Sequence, residues 1–167
     1  MRAICHYLAR MSLHHSLLAA QGYLELDMAE EALRELDEVV DSERDREDVL
    51  QMRLFIMMRL RRWEGAVLTC GRLRETLPAE SAGYIHGAFC LHEMGRTLEA
   101  RKLLLESPET LHDDPTYHYN LGCYEAVLGN VEEAQRHLRT SFRMDNKFRE
   151  LAMDDPDLLP VRALLES

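Results

Sequence analysis

Residues 119–134 read YNLGCYEAVLGNVEEA. Good helix formers lie on both sides of a Leu-Gly-Asn turn at residues 128–130. Gly129 in that turn can adopt the left-handed conformation that ends a helix. A small residue, Ala134, lets the second helix approach the first closely. The stretch therefore predicts two helices joined by a tight turn, which is a helical hairpin.

The same pattern recurs along the chain at a spacing of 34 residues, a period typical of a helical repeat. The equivalents of the small residue are Ala32, Ala66, Ala100 and Ala134. The residues five positions earlier, at the predicted turns, are Asp27, Arg61, Gly95 and Gly129. Large apolar residues before and after each alanine are expected to fill the space between consecutive hairpins. The chain therefore contains four related hairpins.

These residues resemble the tetratricopeptide repeat family. The second segment adds Arg62-Trp63-Glu64-Gly65-Ala66 and Pro78, where the closing proline of the family falls. The chain departs from the family pattern at Arg53 and Glu125, where apolar residues are usual, and only Gly122 supplies the expected first-helix glycine. The resemblance covers residues 13–148, as repeats 13–46, 47–80, 81–114 and 115–148. It implies a single all-α domain of bacterial type over residues 1–167, a right-handed superhelix of four tandem helix-turn-helix hairpins.

The predicted helices follow the repeat. We expect first helices over residues 13–26, 47–60, 81–94 and 116–128, and second helices over 28–41, 63–76, 97–107 and 131–144. Pro108 should end the third hairpin early. Asp114 and Pro115 should begin the next helix, as a capping acid before a first-turn proline.

The two ends differ from the repeats, as the ends of repeat proteins do. Residues 1–12 either extend the first helix or form half a hairpin. Residues 149–167 contain Pro156 and Pro160, which break this stretch into short pieces. We expect it to be a capping segment whose apolar side chains cover the second helix of the fourth hairpin. Those side chains are Leu158, Leu159, Val161 and Leu164.

Composition limits the classes of function. A net charge of −10 argues against a nucleic-acid partner, which requires positive charge. The sequence has no apolar run long enough to span a membrane, and its start does not resemble a signal peptide. The four cysteines are scattered, without a Cys-x-x-Cys pair, which is typical of buried thiols in a reducing compartment. We therefore expect a cytoplasmic protein without a membrane or nucleic-acid partner.

Charge is also unevenly distributed. Residues 25–48 contain twelve acids and three arginines, whereas residues 49–74 contain six arginines and one acid. The simpler interpretation is complementary charge on neighbouring hairpins. The alternative is a charged surface that steers partners towards the protein.

No motif indicates catalysis or a cofactor. The adjacent His14 and His15 point to different sides of a helix, and His86 and His92 share a face poorly. His92 and Cys123 could approach each other across hairpins, but two ligands do not make a metal site. No phosphate loop or dinucleotide fingerprint is present. We therefore expect no cofactor and no metal, and a small enzyme or metal-binding protein remains only an alternative.

In the tetratricopeptide family the first helices line a concave groove, at positions 15, 11 and 8 residues before the repeated alanine. By this resemblance the groove residues are Leu17, Gln21, Leu24, Gln51, Phe55, Met58, Ile85, Phe89, His92, Tyr119, Cys123 and Ala126. Nine of these twelve are apolar. A large exposed apolar patch usually binds something, although such residues can equally belong to the core.

The sequence therefore predicts a non-catalytic protein-interaction module. Its groove would bind an apolar peptide or helix of another protein, as an adaptor or in a chaperone-like manner. In architecture and size it is similar to the small tetratricopeptide chaperones of bacterial type III secretion. The alternative is a homodimer that uses the groove or an open end of the repeat on itself.

Overall fold

The structure is a computed structural model that describes residues 2–161, with side chains described from Ser12 onward. Within that range the chain forms nine α-helices and no strand. The helices are α1 (Arg2–Glu25), α2 (Ala29–Asp37), α3 (Glu47–Arg59), α4 (Trp63–Thr76), α5 (Ala82–Glu93), α6 (Thr97–Leu105), α7 (Pro115–Val127), α8 (Val131–Met144) and α9 (Lys147–Asp154). Short 3₁₀ turns cover Asp41–Glu43, Glu109–Asp113 and Pro156–Leu158. The prediction of an all-α fold with four tandem hairpins is confirmed.

Helix boundaries agree with the predicted ranges to within two residues, except at the start of α1 and the end of α2. Helix α1 begins at Arg2, so residues 2–12 extend the first helix. Helix α2 ends at Asp37, earlier than predicted, and the Arg44 side chain donates hydrogen bonds to the carbonyls of Asp37 and Val39. These bonds satisfy carbonyls that would otherwise lack a partner at the helix end. Helix α7 begins as predicted, because the Asp114 side chain accepts a hydrogen bond from the Thr116 amide and Pro115 follows it.

The four hairpin turns share one backbone geometry. The residues at the predicted turn positions have positive φ, at 61° for Asp27, 53° for Arg61, 75° for Gly95 and 83° for Gly129. In the second turn the Arg61 amide bonds the Met58 carbonyl and the Arg62 amide bonds the Met57 carbonyl. Equivalent pairs of bonds recur in the other three turns. This is the Schellman arrangement, which caps the helix carbonyls when one residue is left-handed.

The four alanines of the repeat are fully buried. Ala32, Ala66, Ala100 and Ala134 all have 0% exposed surface. Gly122 allows a further close approach, because a Cβ at this position would lie 2.6 Å from Cγ of Leu138 and 2.8 Å from its Cδ2. The prediction that small residues permit tight packing is therefore confirmed for the fourth hairpin, and the four alanines are buried as it requires.

Contacts divide the chain into two compact units, Met1–Pro78 and Ala79–Ser167. The first unit contains α1 to α4 and a core that includes Ala20, Leu33, Leu36 and Ile56. The second unit contains α5 to α9, and its fully buried side chains include Leu104, Leu121, Leu138 and Leu158. Each unit thus has two hairpins and its own buried apolar residues.

The opposite charges of residues 25–48 and 49–74 meet in the first unit. Four arginines of the second hairpin pair with acids that precede them. The pairs are Arg53–Asp37, Arg59–Asp27, Arg62–Glu30 and Arg72–Asp45, at 2.6–2.8 Å. The interpretation as complementary charge on neighbouring hairpins is confirmed. Most of these side chains are well exposed, so each pair stabilises the fold only modestly.

The two departures from the family pattern are polar groups with partners. Arg53 donates to the Asp37 carboxylate at 2.7 Å and to the Leu36 carbonyl at 2.9 Å. Glu125, only 2% exposed, accepts from Nε of Arg101 at 2.5 Å and from Nδ2 of Asn130 at 2.7 Å. The Glu125 pair connects α6 of the third hairpin to α7 of the fourth. A charge at these positions is therefore compatible with the fold because each one is hydrogen-bonded.

Candidate functional site

In the first unit the predicted groove residues differ in exposure. Leu17 and Leu24 are half-buried and pack against the apolar core. Gln21 and Gln51 are exposed, and their amides donate to glutamates one helical turn away, Glu25 and Glu47. Met58 is half-buried. Phe55 is 54% exposed, which is unusual for a phenylalanine in a packed helix.

Gln51, Phe55 and Met58 lie on one face of α3, because residues spaced by four and by three share a side of a helix. The helix buries its other side through Leu50, Leu54 and Ile56, each at most 3% exposed. The first unit therefore presents an aromatic ring, flanked by an amide and a thioether, on a helix that is otherwise anchored in the core.

In the second unit the predicted groove residues are largely covered. Ile85, Tyr119 and Cys123 are buried, and Phe89 and His92 are half-buried. Ala126 is also buried. The cover over α7 is the chain's own residues 155–161, which we call the closing segment. It includes the 3₁₀ turn Pro156–Leu158, which packs against α7.

Asp155 begins the closing segment and binds two groove residues at once. Its Oδ2 accepts a hydrogen bond from the Tyr119 hydroxyl at 2.7 Å and from the Cys123 thiol at 3.6 Å. Its Oδ1 accepts from the Asp157 amide at 3.0 Å, which caps the 3₁₀ turn. Burial raises the pKa of both Tyr119 and Cys123 above the ordinary values, and the nearby Asp155 adds to the effect. Both groups therefore stay protonated near neutral pH and act as donors to one carboxylate.

Asp157 binds the third groove residue. Its Oδ2 lies 2.8 Å from Nε2 of His92, while Nδ1 of His92 lies 3.0 Å from Oγ of Thr97. The His92 ring also lies 4.9 Å from the Tyr124 ring, between centroids. Thr97 is buried at the start of α6. The imidazole is therefore held from both sides, with Nε2 directed at the closing segment.

Apolar contacts complete the docking. Leu158 and Val161 are fully buried, whereas Leu159 is 61% exposed. Phe148 in α9 packs on Tyr119, with the ring centroids 5.1 Å apart. The amides of Leu158, Leu159 and Val161 bond carbonyls within the closing segment, and the side chains of Asp155 and Asp157 anchor it to α7 and α5.

The predicted capping interaction is wrong in its location. We expected the apolar residues of this segment to cover the second helix of the fourth hairpin, which is α8. The 3₁₀ turn instead packs on α7, the first helix of that hairpin, and the preceding α9 packs on α8. The physical reason is that α7 offers donors for Asp155 and α5 offers one for Asp157. Of the predicted residues, Leu158 and Val161 are buried, Leu159 is exposed and Leu164 lies outside the described residues.

Sequence reasoning missed Asp155 and Asp157 as residues that contact the groove. The available signal was the Asp-Pro-Asp sequence itself, in which an acid before a proline caps a short helical turn. That signal predicts the turn but not its position against helices more than thirty residues earlier in the chain.

Within the part of the chain that the structure describes, no group of three His, Cys, Asp or Glu side chains is arranged to hold a metal ion. Cys70, Cys90 and Cys123 are buried thiols, and burial raises the pKa of Cys90 to about 11. Cys5 lies outside the residues whose side chains are described. Among the described helices, none combines the length and the apolar character needed to cross a membrane.

Comparison with known proteins gives structural likeness only. No protein-family description matches the sequence, and no curated protein does. The fold is similar to MamA from Desulfovibrio magneticus RS-1, with a TM-score of 0.71, 19% identity, and coverage of 87% of this chain and 82% of that chain. It is also similar to TTC0263, a tetratricopeptide protein of Thermus thermophilus, with a TM-score of 0.65, 16% identity, and coverage of 90% and 86%.

A third similar structure is YrrB, described as a tetratricopeptide protein with an unusual peptide-binding site. Its TM-score is 0.64 at 12% identity, with coverage of 87% of this chain and 80% of that chain. These likenesses extend over most of each chain, and they agree with the 34-residue period and the four equivalent turns. The chain therefore has the tetratricopeptide repeat fold, as the sequence predicted.

Proposed function

We propose that this chain is a non-catalytic protein-interaction module that binds an apolar peptide or helix of another protein, as an adaptor or in a chaperone-like manner. The observation that carries the proposal is the exposed Phe55, held between Gln51 and Met58 on one face of α3. Aromatic side chains dominate the binding energy of many interfaces. A thioether such as Met58 adapts to irregular apolar shapes.

The proposal assigns roles to the groove residues of the first unit. Phe55 is the anchor, Met58 extends the apolar contact, and Gln21 and Gln51 orient the ligand through their amides. Leu17 and Leu24 support the surface from the core. Phe89 occupies the position equivalent to Phe55 in the second unit. The peptide-binding site named for YrrB supports a function of this class. Buried thiols support a reducing, cytoplasmic setting.

Selection from a random peptide library displayed on phage tests the proposal with the pure protein. Enriched peptides are synthesised, and their affinity is measured by calorimetry for the wild type, Phe55→Ala and Leu68→Ala. Leu68, on α4, is 72% exposed and serves as the matched control. We expect Phe55→Ala to weaken binding about thirtyfold, the effect of a 2 kcal/mol hot spot. We expect Leu68→Ala to bind within about twofold of the wild type, since a truncated side chain outside an interface leaves affinity unchanged.

Thermal melts of both variants should match the wild type, because exposed side chains add little to the core. Peptides that bind Phe55→Ala as tightly as the wild type would refute the assignment of this surface. Sedimentation tests the alternative occupant, a second copy of the chain. A wild-type dimer that becomes monomeric in Phe55→Ala would show that the surface serves self-association instead.

A further inference from the structure

We propose that the groove residues of the second unit form a specific peptide site for an acidic Asp-Pro-Asp-Leu turn. In this site the chain's own closing segment is the resident ligand, and a partner segment of the same chemistry competes for it. The inference rests on the proposed function, and it names a ligand class for the second unit.

The site contains donors matched to the two acids of such a turn. The Tyr119 hydroxyl and the Cys123 thiol converge on one oxygen of Asp155, and Nε2 of His92 faces Asp157. Each donor is buried or half-buried. The His92 ring is held by its hydrogen bond with Thr97, and the Tyr119 ring is held by its packing on Phe148. Hydrogen bonds to a charged acceptor are the stronger and more selective ones. A turn without acids would leave these buried donors without partners. Such a turn should therefore bind more weakly than the acidic one.

The site also recognises apolar side chains at fixed positions after the two acids. Leu158 follows Asp157 directly and is fully buried, as is Val161 three residues later. The neighbouring Leu159 and Pro160 are exposed. The recognised pattern is therefore Asp-x-Asp-Leu-x-x-Val, in which the proline at the second position preforms the 3₁₀ turn.

The closing segment is attached in the way that a peptide ligand is attached. The amides of Leu158, Leu159 and Val161 bond carbonyls within the segment, and the side chains of Asp155 and Asp157 anchor it to the helices. It is also short, with a single 3₁₀ turn of three residues. A segment held in this way competes with an external peptide through its high effective concentration, which is in the millimolar range for short tethers.

The test uses a fluorescein-labelled peptide with the sequence of residues 153–161, Met-Asp-Asp-Pro-Asp-Leu-Leu-Pro-Val. Its binding is measured by anisotropy to the full chain, as the wild type and as the double variant Asp157→Ala/Leu158→Ala. The double variant loses two anchors of its own segment but keeps the whole site on α5 and α7. We expect it to bind the peptide at least tenfold more tightly than the wild type, in which the tethered segment competes.

Two controls make the result specific. Leu159→Ala removes an exposed side chain and should bind the peptide as weakly as the wild type. In the double-variant background, Tyr119→Phe should weaken peptide binding about tenfold, because it removes a donor to the first acid. Tyr124→Phe should leave binding unchanged, since the buried Tyr124 hydroxyl has no hydrogen-bond partner among the described residues.

The proposal is overturned if the folded double variant binds the peptide no better than the wild type. It is also overturned if a peptide carrying Leu158→Ala binds the double variant as tightly as the unaltered peptide does. If the double variant is unfolded by circular dichroism, the single variant Asp157→Ala keeps the test valid, with an expected threefold gain. Phe55→Ala should not alter any of these results, because Phe55 lies in the first unit. Failure here and failure of the first-unit surface are therefore distinguishable.

Discussion

Replacing Arg101 with methionine should destabilise the protein by about 2–4 kcal/mol. Arg101 donates from Nε to the carboxylate of Glu125, which is 2% exposed and has Asn130 as its other partner. Methionine keeps most of the aliphatic packing but removes the charge, and it leaves a buried carboxylate with one neutral donor. Removing one partner of a buried pair typically costs about 3–5 kcal/mol. The Arg101 side chain is 34% exposed, so water can reach the site and reduce the cost.

Removing the Glu125 carboxylate as well should recover the lost stability. The positions equivalent to Glu125 in the other repeats are Tyr23, Met57 and Leu91, so an apolar residue suits the hairpin. Glu125→Leu in the Arg101→Met background should therefore return stability to within about 1 kcal/mol of the wild type, since replacing a whole buried pair by apolar residues is often neutral.

Urea denaturation followed by circular dichroism measures Arg101→Met, Glu125→Leu and the double variant, and the double-mutant cycle isolates the coupling between the two sites. Arg72→Met is the matched control, because its partner Asp45 is exposed and the pair should contribute less than about 1 kcal/mol. An Arg101→Met variant that loses no more stability than this control would refute the reasoning. A double variant as unstable as Arg101→Met alone would refute it too.

Three further predictions concern the turns, the packing and the pH dependence. Arg61→Gly should raise the free energy of unfolding by about 0.5–1 kcal/mol, because Arg61 is a non-glycine residue with positive φ. Urea denaturation measures this value, and an unchanged free energy of unfolding would contradict the prediction. Gly122→Ala should lower the melting temperature by several degrees, since the Cβ of the new alanine would clash with Leu138. An unchanged melting temperature would show that the Leu138 side chain can move aside. Burial, with the nearby Arg136, lowers the pKa of His137 from 6.5 to about 4. The unfolded chain therefore binds more protons between these two values, and stability should fall by about 1–2 kcal/mol between pH 7 and 5. His137→Phe should flatten that profile in urea titrations at several pH values, and an equally steep profile would assign the loss to other groups.

The repeat determined most of the fold from the sequence alone. The four alanines spaced by 34 residues are all fully buried, and the four predicted turn residues all have positive φ. These features are local, because a hairpin's turn conformation and its packing follow from residues within one repeat. Asp27 and Arg61 adopt the same turn as Gly95 and Gly129, so the position in the repeat outweighed the preference of the individual residue. The extent of α1 was not decided by the sequence, because residues 1–12 contain no helix breaker and no repeat signal.

Only the tertiary structure decided where the closing segment lies and which groove residues it covers. The sequence predicted the groove positions in both units from one pattern, yet Phe55 is exposed whereas Tyr119, further along in the second unit, is buried beside Asp155. That contact joins residues 36 positions apart, and the one between His92 and Asp157 joins residues 65 apart. Such pairings depend on which donors the packed helices α5 and α7 bring together in space. A periodic pattern specifies the faces of helices, but it carries no information about where a non-repeating acidic turn finds its partners.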